Sequence, residues 1–277
     1  MINSTVNFNT PEASTNSTTQ SIGLLDSLEI CVYSISFLFG LPTHSYVIWL
    51  IITGTGSEVF NLNLSVCEIG ICLNCFVYVL SYWIFSLSTL KVFFVGLTIS
   101  GRPLFQCLIS VERYLAVVHP ITFLRFKPLR YRVICCTAAW IITLGSCLVC
   151  MYTSGEENRP IYTWFFSLQF LFFLSIQLFC LVAVLRALKQ SGPGERRRER
   201  EEENHMKRRA FHLILITTAS MAIIYVPYTI IGFITIIVKK FINLLWFVGF
   251  TCYVLAGFVH PVLYLQRTGK LFCLSLP

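Results

Sequence analysis

The chain has 277 residues, of which 56% are hydrophobic and only 12% charged, and its mean hydropathy is +0.72. That is more apolar surface than a water-soluble core of this size can hide, so the composition excludes a soluble globular domain and points to a lipid bilayer. The formal charge of +8 does not point to nucleic acid, because the basic excess lies in short loops between apolar segments, where it orients a membrane protein.

The chain opens on a polar stretch, MINSTVNFNTPEASTNSTTQ. It lacks the basic start and short apolar core of a cleaved signal peptide, so the first membrane helix is expected to serve as its own signal. N-S-T sequons at Asn3 and Asn16 are candidate glycosylation sites and predict a lumenal or extracellular tail over residues 1–25.

Seven apolar runs follow, each long enough for the ~20 residues that cross a bilayer core. They predict helices over 26–53, 61–85, 88–118, 131–153, 161–189, 207–238 and 243–266. The fold class is therefore an all-α, seven-transmembrane bundle over 26–266, with a short cytoplasmic tail over 267–277. The breaks read TGTGSEVF, a minimal turn near Ser86, HPITFLRFKPLR, TSGEENRP, QSGPGERRRERE and KKFIN. An odd number of spans puts the C-terminus opposite the glycosylatable tail, and the basic residues agree. Of 21 Lys and Arg, sixteen fall on the inner side and four outside (Lys91, Arg159, Lys239 and Lys240), with Arg102 within the membrane. This bias sets the N-terminus outside and the C-terminus inside. The run GPGERRRERE reads as a solvated linker or a polar helical extension. The tail RTGKLFCLSLP reads as a short amphipathic eighth helix along the membrane, with Cys273 a candidate for palmitoylation.

The twelve cysteines mostly sit inside apolar runs, where a thiol behaves as a small hydrophobe. Cys72 and Cys75 form a C-x-x-C in mid-membrane, which argues against a redox role. No zinc spacing or disulfide framework appears, so neither metal nor cofactor is expected.

Polar groups inside a bilayer are costly, which makes each one a candidate functional residue. His44, Glu68, Arg102 and His260 stand out. At ~1.5 Å per residue, all four fall in one layer roughly 10–17 Å from the inner surface. Arg102, Gln106, Ile109 and Arg113 follow the i, i+4, i+7, i+11 stripe of one helix face, which must look into the bundle. Arg102 has two readings. Pro103 frees the carbonyl of Ile99, which the guanidinium can cap; alternatively Arg102 pairs with Glu68, flanked by two neutral imidazoles. Either charge alone costs roughly 2.5–3.5 kcal/mol on insertion scales, which a satisfied pair avoids.

Several motifs then appear in a consistent order: GLPTHSYVIWL in the first helix, NLNLSVCE in the second, SVERYLAVVHP in the third, Trp140 in the fourth, YVPY in the sixth and HPVLY in the seventh. The chain resembles the rhodopsin-like (class A) G-protein-coupled receptors, with a fainter likeness to their purinergic, protease-activated and lipid receptor branch. The resemblance implies a plasma-membrane receptor with an extracellular ligand and a heterotrimeric G protein as partners. It makes Arg113 the cleft arginine held at rest by Glu112, puts Tyr225 beside the hinge at Pro227, and equates Tyr264 with the tyrosine of N-P-x-x-Y. It also sets His44, Glu68, Arg102 and His260 where the family usually builds a sodium site, so that Arg102 becomes a built-in counterion to Glu68. Ser88 stands where the family usually has a cysteine, so the common outer disulfide is not expected. Lys207 replaces an acid that pairs with the cleft arginine in some members.

In the outer half, Trp83, Tyr225, Tyr228 and Trp246 are candidate ligand contacts, although aromatic residues there also serve packing and the interface belt. KVFFVGLTIS offers no acid at the usual amine-binding place, so an aminergic ligand is disfavoured. The alternative is an ion- or proton-coupled transporter using the Glu/Arg/His cluster, against which stands the lack of similarity between halves. An enzyme is not expected, because no nucleophile, base and orienting acid occur at motif spacing.

Overall fold

A computed structural model describes residues 23–54, 58–126, 128–153, 158–189, 197–238 and 243–268. Among these, helices α1 (Leu24–Thr53), α2 (Val59–Ser81) and α3 (Ser88–Val118) are followed by a short α4 (Pro120–Phe126). Then come α5 (Leu129–Tyr152), α6 (Arg159–Lys189), α7 (Arg197–Val238), α8 (Asn243–Ala256) and α9 (Val259–Thr268). Seven segments are long and apolar enough to cross a membrane, the seventh being composed of α8 and α9.

The expected spans match the helices to within a few residues, with four differences. The second helix ends at Ser81, and residues Phe85–Leu87 form a 3-10 turn rather than continuing it. Part of the HPITFLRF loop is the helix α4, which exposes Ile121 and Leu124. The sixth span continues N-terminally as one 42-residue helix from Arg197, so the described part of the basic run is a polar helical extension. The seventh span is broken at Gly257 and Phe258, where the amides bond three residues back, to Val254 and Leu255, at 2.9 and 3.2 Å. The sequons at Asn3 and Asn16, and the tail with Cys273, lie outside the described residues.

The outward faces carry large exposed apolar side chains, so in this bundle polarity and small size mark the inward faces. On α1 the buried positions Tyr33, Ser36, Gly40, His44 and Val47 recur every three or four residues, the spacing of one helical stripe. The central helix is α3, buried continuously from Gly96 to Cys107 and packed against α2, α5, α6 and α7. Its close approach to α5 requires Gly96: a Cβ there would lie 2.5 Å from the Cys147 Cα. Side-chain bonds reinforce the packing. Trp140 on α5 donates to Asn63 on α2 at 2.8 Å, while Gln169 on α6 accepts from Ser100 at 2.9 Å and donates to Ser146 at 3.2 Å.

Candidate functional site

The centre of the bundle holds a bidentate ion pair. Arg102 Nε donates to Glu68 Oε1 at 2.5 Å and Nη2 to Oε2 at 2.6 Å, with both side chains 2% exposed or less. Two parallel charge-assisted bonds are the strongest geometry open to these groups. The remaining nitrogen, Nη1, donates to the backbone carbonyl of Tyr253 at 2.8 Å, and the guanidinium lies 4.2 Å from the Tyr253 ring centroid. That carbonyl is available because α8 ends at Ala256. The Gly257 amide that would have bonded it in a continuous helix turns to Val254 instead. The end of a helix also carries partial negative charge, which favours a cation there. Gly257 keeps the approach open, since a Cβ at this position would lie 3.0 Å from Arg102 Nη2.

The four polar residues predicted at one depth are thus all buried, but they divide into two pairs. His44 and His260 stack with centroids 6.5 Å apart and planes 7° from parallel. His260 Nε2 approaches Asn61 Oδ1 at 3.4 Å; the imidazoles bond neither Glu68 nor Arg102. The capping alternative is also corrected: α3 runs through Pro103 unbroken, and the guanidinium bonds Glu68 and Tyr253, not the Ile99 carbonyl.

Below this centre, toward the inner ends of the helices, is a cavity of about 50 Å³. Gln106, Ile109 and Arg113 of the predicted α3 stripe line it, together with Asn61, His260 and Tyr264. Glu112 behaves differently from expectation. Its carboxylate forms an ion pair with Arg132 of α5 at 2.6 Å, across the helix interface rather than along α3 to Arg113. Successive residues on a helix point about 100° apart, so the side chain beside Arg113 in sequence faces another neighbour.

Above the centre is a larger cavity of about 220 Å³. Helices α1 and α2 contribute Glu29, Tyr33, Asn74 and Tyr78 to it. Lys91 and Thr98 come from α3, Tyr225 and Tyr228 from α7, and Tyr253 from α8. Tyr253 forms part of its lining and also touches Arg102 beneath; its hydroxyl donates to the Thr98 carbonyl at 2.7 Å. Tyr225 stacks on Phe170 at 5.3 Å and meets Tyr253 edge to face at 6.2 Å. Pro227 lies within α7, less than one turn beyond Tyr225.

Of the expected ligand contacts, Tyr225 and Tyr228 line this cavity. Trp83 does not: it is 67% exposed beyond the end of α2. The side chain of Trp246 lies outside the described residues. The sequence reading missed Tyr253, whose use by Arg102 is through its backbone, and Glu29, Asn74 and Lys91. Both charges lie near helix ends, where such residues usually face water. Among the described residues no group of three or more metal-binding side chains occurs.

Comparison with known proteins bears on what such an arrangement belongs to. Human C-C chemokine receptor type 8 is 25% identical over 233 residues, covering 73% of this chain and 62% of the receptor. The uracil nucleotide/cysteinyl leukotriene receptor of Rattus norvegicus is 25% identical over 237 residues, 76% of this chain and 68% of that protein. A purinoceptor of Gallus gallus is 32% identical over 145 residues, 47% of this chain and 44% of the receptor. The alignments thus cover between under half and about two thirds of these relatives' lengths. All three are receptors by name, and the transporter alternative finds no support among them. Residues 43–264 match the family described as 7 transmembrane receptor (rhodopsin family). A seven-helix bundle with an intramembrane ion pair between an outer and an inner cavity, matched over that span, makes this chain a member of the rhodopsin family of seven-transmembrane receptors.

Proposed function

We propose that the chain acts at the plasma membrane as a receptor that converts an extracellular ligand into activation of a heterotrimeric G protein. The observation that carries this reading is the vertical arrangement through Arg102. One residue, Tyr253, lines the outer cavity and bonds the buried guanidinium, while Arg113 and Tyr264 meet in the inner cavity below. A ligand that moves Tyr253 changes what Arg102 can bond. The cation must then lose a hydrogen bond or follow α8. Arg113, Tyr264 and the Glu112–Arg132 pair are the elements that respond at the inner end, with Tyr225 and Pro227 allowing α7 to swing. Purified chain in nanodiscs should catalyse GTP exchange on at least one heterotrimer, and Arg113→Ala should abolish it. Exchange that is absent from every heterotrimer tested, or indifferent to Arg113, rejects the reading.

In this scheme Arg102 serves as the internal counterion of Glu68, in the place where the family resemblance puts sodium. A fixed guanidinium repels a mobile cation. The thermal midpoint is therefore expected to be the same in sodium and in potassium chloride at equal ionic strength, whereas Arg102→Ser should acquire sodium-dependent stabilisation.

A further inference from the structure

The outer cavity holds two opposite charges that do not meet. Lys91 Nζ lies 4.9 Å from the Tyr78 ring centroid, and among the described residues it forms neither a salt bridge nor a hydrogen bond. Glu29 accepts from the Tyr78 hydroxyl at 2.6 Å through Oε2 and forms no ion pair among those residues. Both side chains line the same cavity. Deeper in it, Asn74 is 3% exposed and its Oδ1 has no hydrogen-bond partner. A buried acceptor without a donor carries a desolvation cost that a ligand N–H or O–H would remove.

On the receptor reading above, this lining selects a ligand class. At about 220 Å³ the cavity is smaller than the roughly 300–1,000 Å³ of drug-sized sites, so it suits a compact metabolite. A simple anion would satisfy Lys91 but face Glu29, and a simple cation the reverse, each leaving one half-buried charge uncompensated. A molecule carrying both charges a few bonds apart satisfies the two together. The five tyrosines of the lining offer aromatic surface to an aromatic body. Lys91 lies three residues into α3 and Asn74 seven residues before the end of α2. Their depths therefore differ by about 6 Å, close to the separation of the α-carbon from the ring donor in tryptophan or tyrosine.

We propose that the outer cavity is a binding site for a small aromatic zwitterion of the amino-acid type. Its carboxylate lies against Lys91, its ammonium against Glu29, its ring among Tyr33, Tyr228 and Tyr253, and its ring donor faces Asn74.

The test is thermal unfolding of the purified full chain in nanodiscs with L-tryptophan and L-tyrosine. Their deaminated analogues, indole-3-propionate and 3-(4-hydroxyphenyl)propionate, and their decarboxylated analogues, tryptamine and tyramine, are titrated alongside. At least one amino acid should raise the midpoint, with both of its analogues binding at least tenfold more weakly. Lys91→Gln should bring the amine level with its parent amino acid, Glu29→Gln should do so for the acid, and Lys91→Arg should retain wild-type selectivity. An analogue of single charge that binds wild type as tightly as its parent overturns the proposal, as does failure of all six to bind. The wild-type comparison stands even if a variant does not fold. Binding is read without any G protein, so its failure is separate from failure of the exchange assay, which is run without these probes.

Discussion

Arg102 and Glu68 depend on each other because neither has water to fall back on. Removing one partner of a buried pair typically costs about 3–5 kcal/mol, most of it from the charge left behind. Arg102→Met should therefore lower the unfolding midpoint and cell-surface expression sharply, as should Glu68→Gln. The double variant should recover part of the loss, since no uncompensated charge remains; a double-mutant cycle of melting midpoints measures the coupling. The two charges were legible in the sequence because ionised groups in apolar runs have few ways to be satisfied. Tyr253 was not. It serves Arg102 through a carbonyl, which every residue has, and what distinguishes this carbonyl is the helix break at Gly257. Glu112 differs in another way: the family resemblance suggested a contact with Arg113, whereas its carboxylate pairs with Arg132 across the helix interface.

At the scale of elements, helix ends and breaks matter more than helix existence. Apolar length identified all seven spans, because a bilayer imposes that length directly. It could not reveal the division of the last span into α8 and α9, since both halves are apolar and the glycine between them reads as an ordinary small residue. Close packing of α3 on α5 was likewise hidden, because a glycine's role depends on what crosses it. The structure makes this testable. A Cβ at Gly96 would meet the backbone of Cys147 at 2.5 Å, whereas one at Gly145 would meet nothing within 4 Å. Gly96→Ala should cost about 1–3 kcal/mol by overpacking, and Gly145→Ala should leave the melting midpoint within error of wild type.

For the whole molecule, the orientation we propose, with the N-terminus outside, rests on the clustering of basic residues in alternate connecting segments, Arg130 and Arg132 among them. Treatment of expressed chain with an N-glycosidase should reduce its apparent mass, and the Asn3→Gln, Asn16→Gln double variant should show no such shift. An unshifted wild-type chain would contradict an outer, glycosylated N-terminus, and a shift retained by the double variant would place the glycan elsewhere. The lining of the outer cavity was not readable from the sequence, because Glu29, Asn74 and Lys91 come from three helices and only the assembled bundle turns them toward one space.

The ion pair also bears on how the chain enters the membrane. Its carboxylate and guanidinium sit on consecutive spans, α2 and α3, 34 residues apart, whereas the carbonyl that completes the site follows Arg102 by 151 residues. At ~5–20 residues per second, that partner is synthesised roughly 8–30 s later. The second and third helices can thus leave the translocon as a hairpin that neutralises itself, well before the last span exists. A truncated chain ending after α3 should integrate into microsomes, and the same truncation with Glu68→Ala should integrate less, because its third helix would have to enter carrying an unpaired arginine.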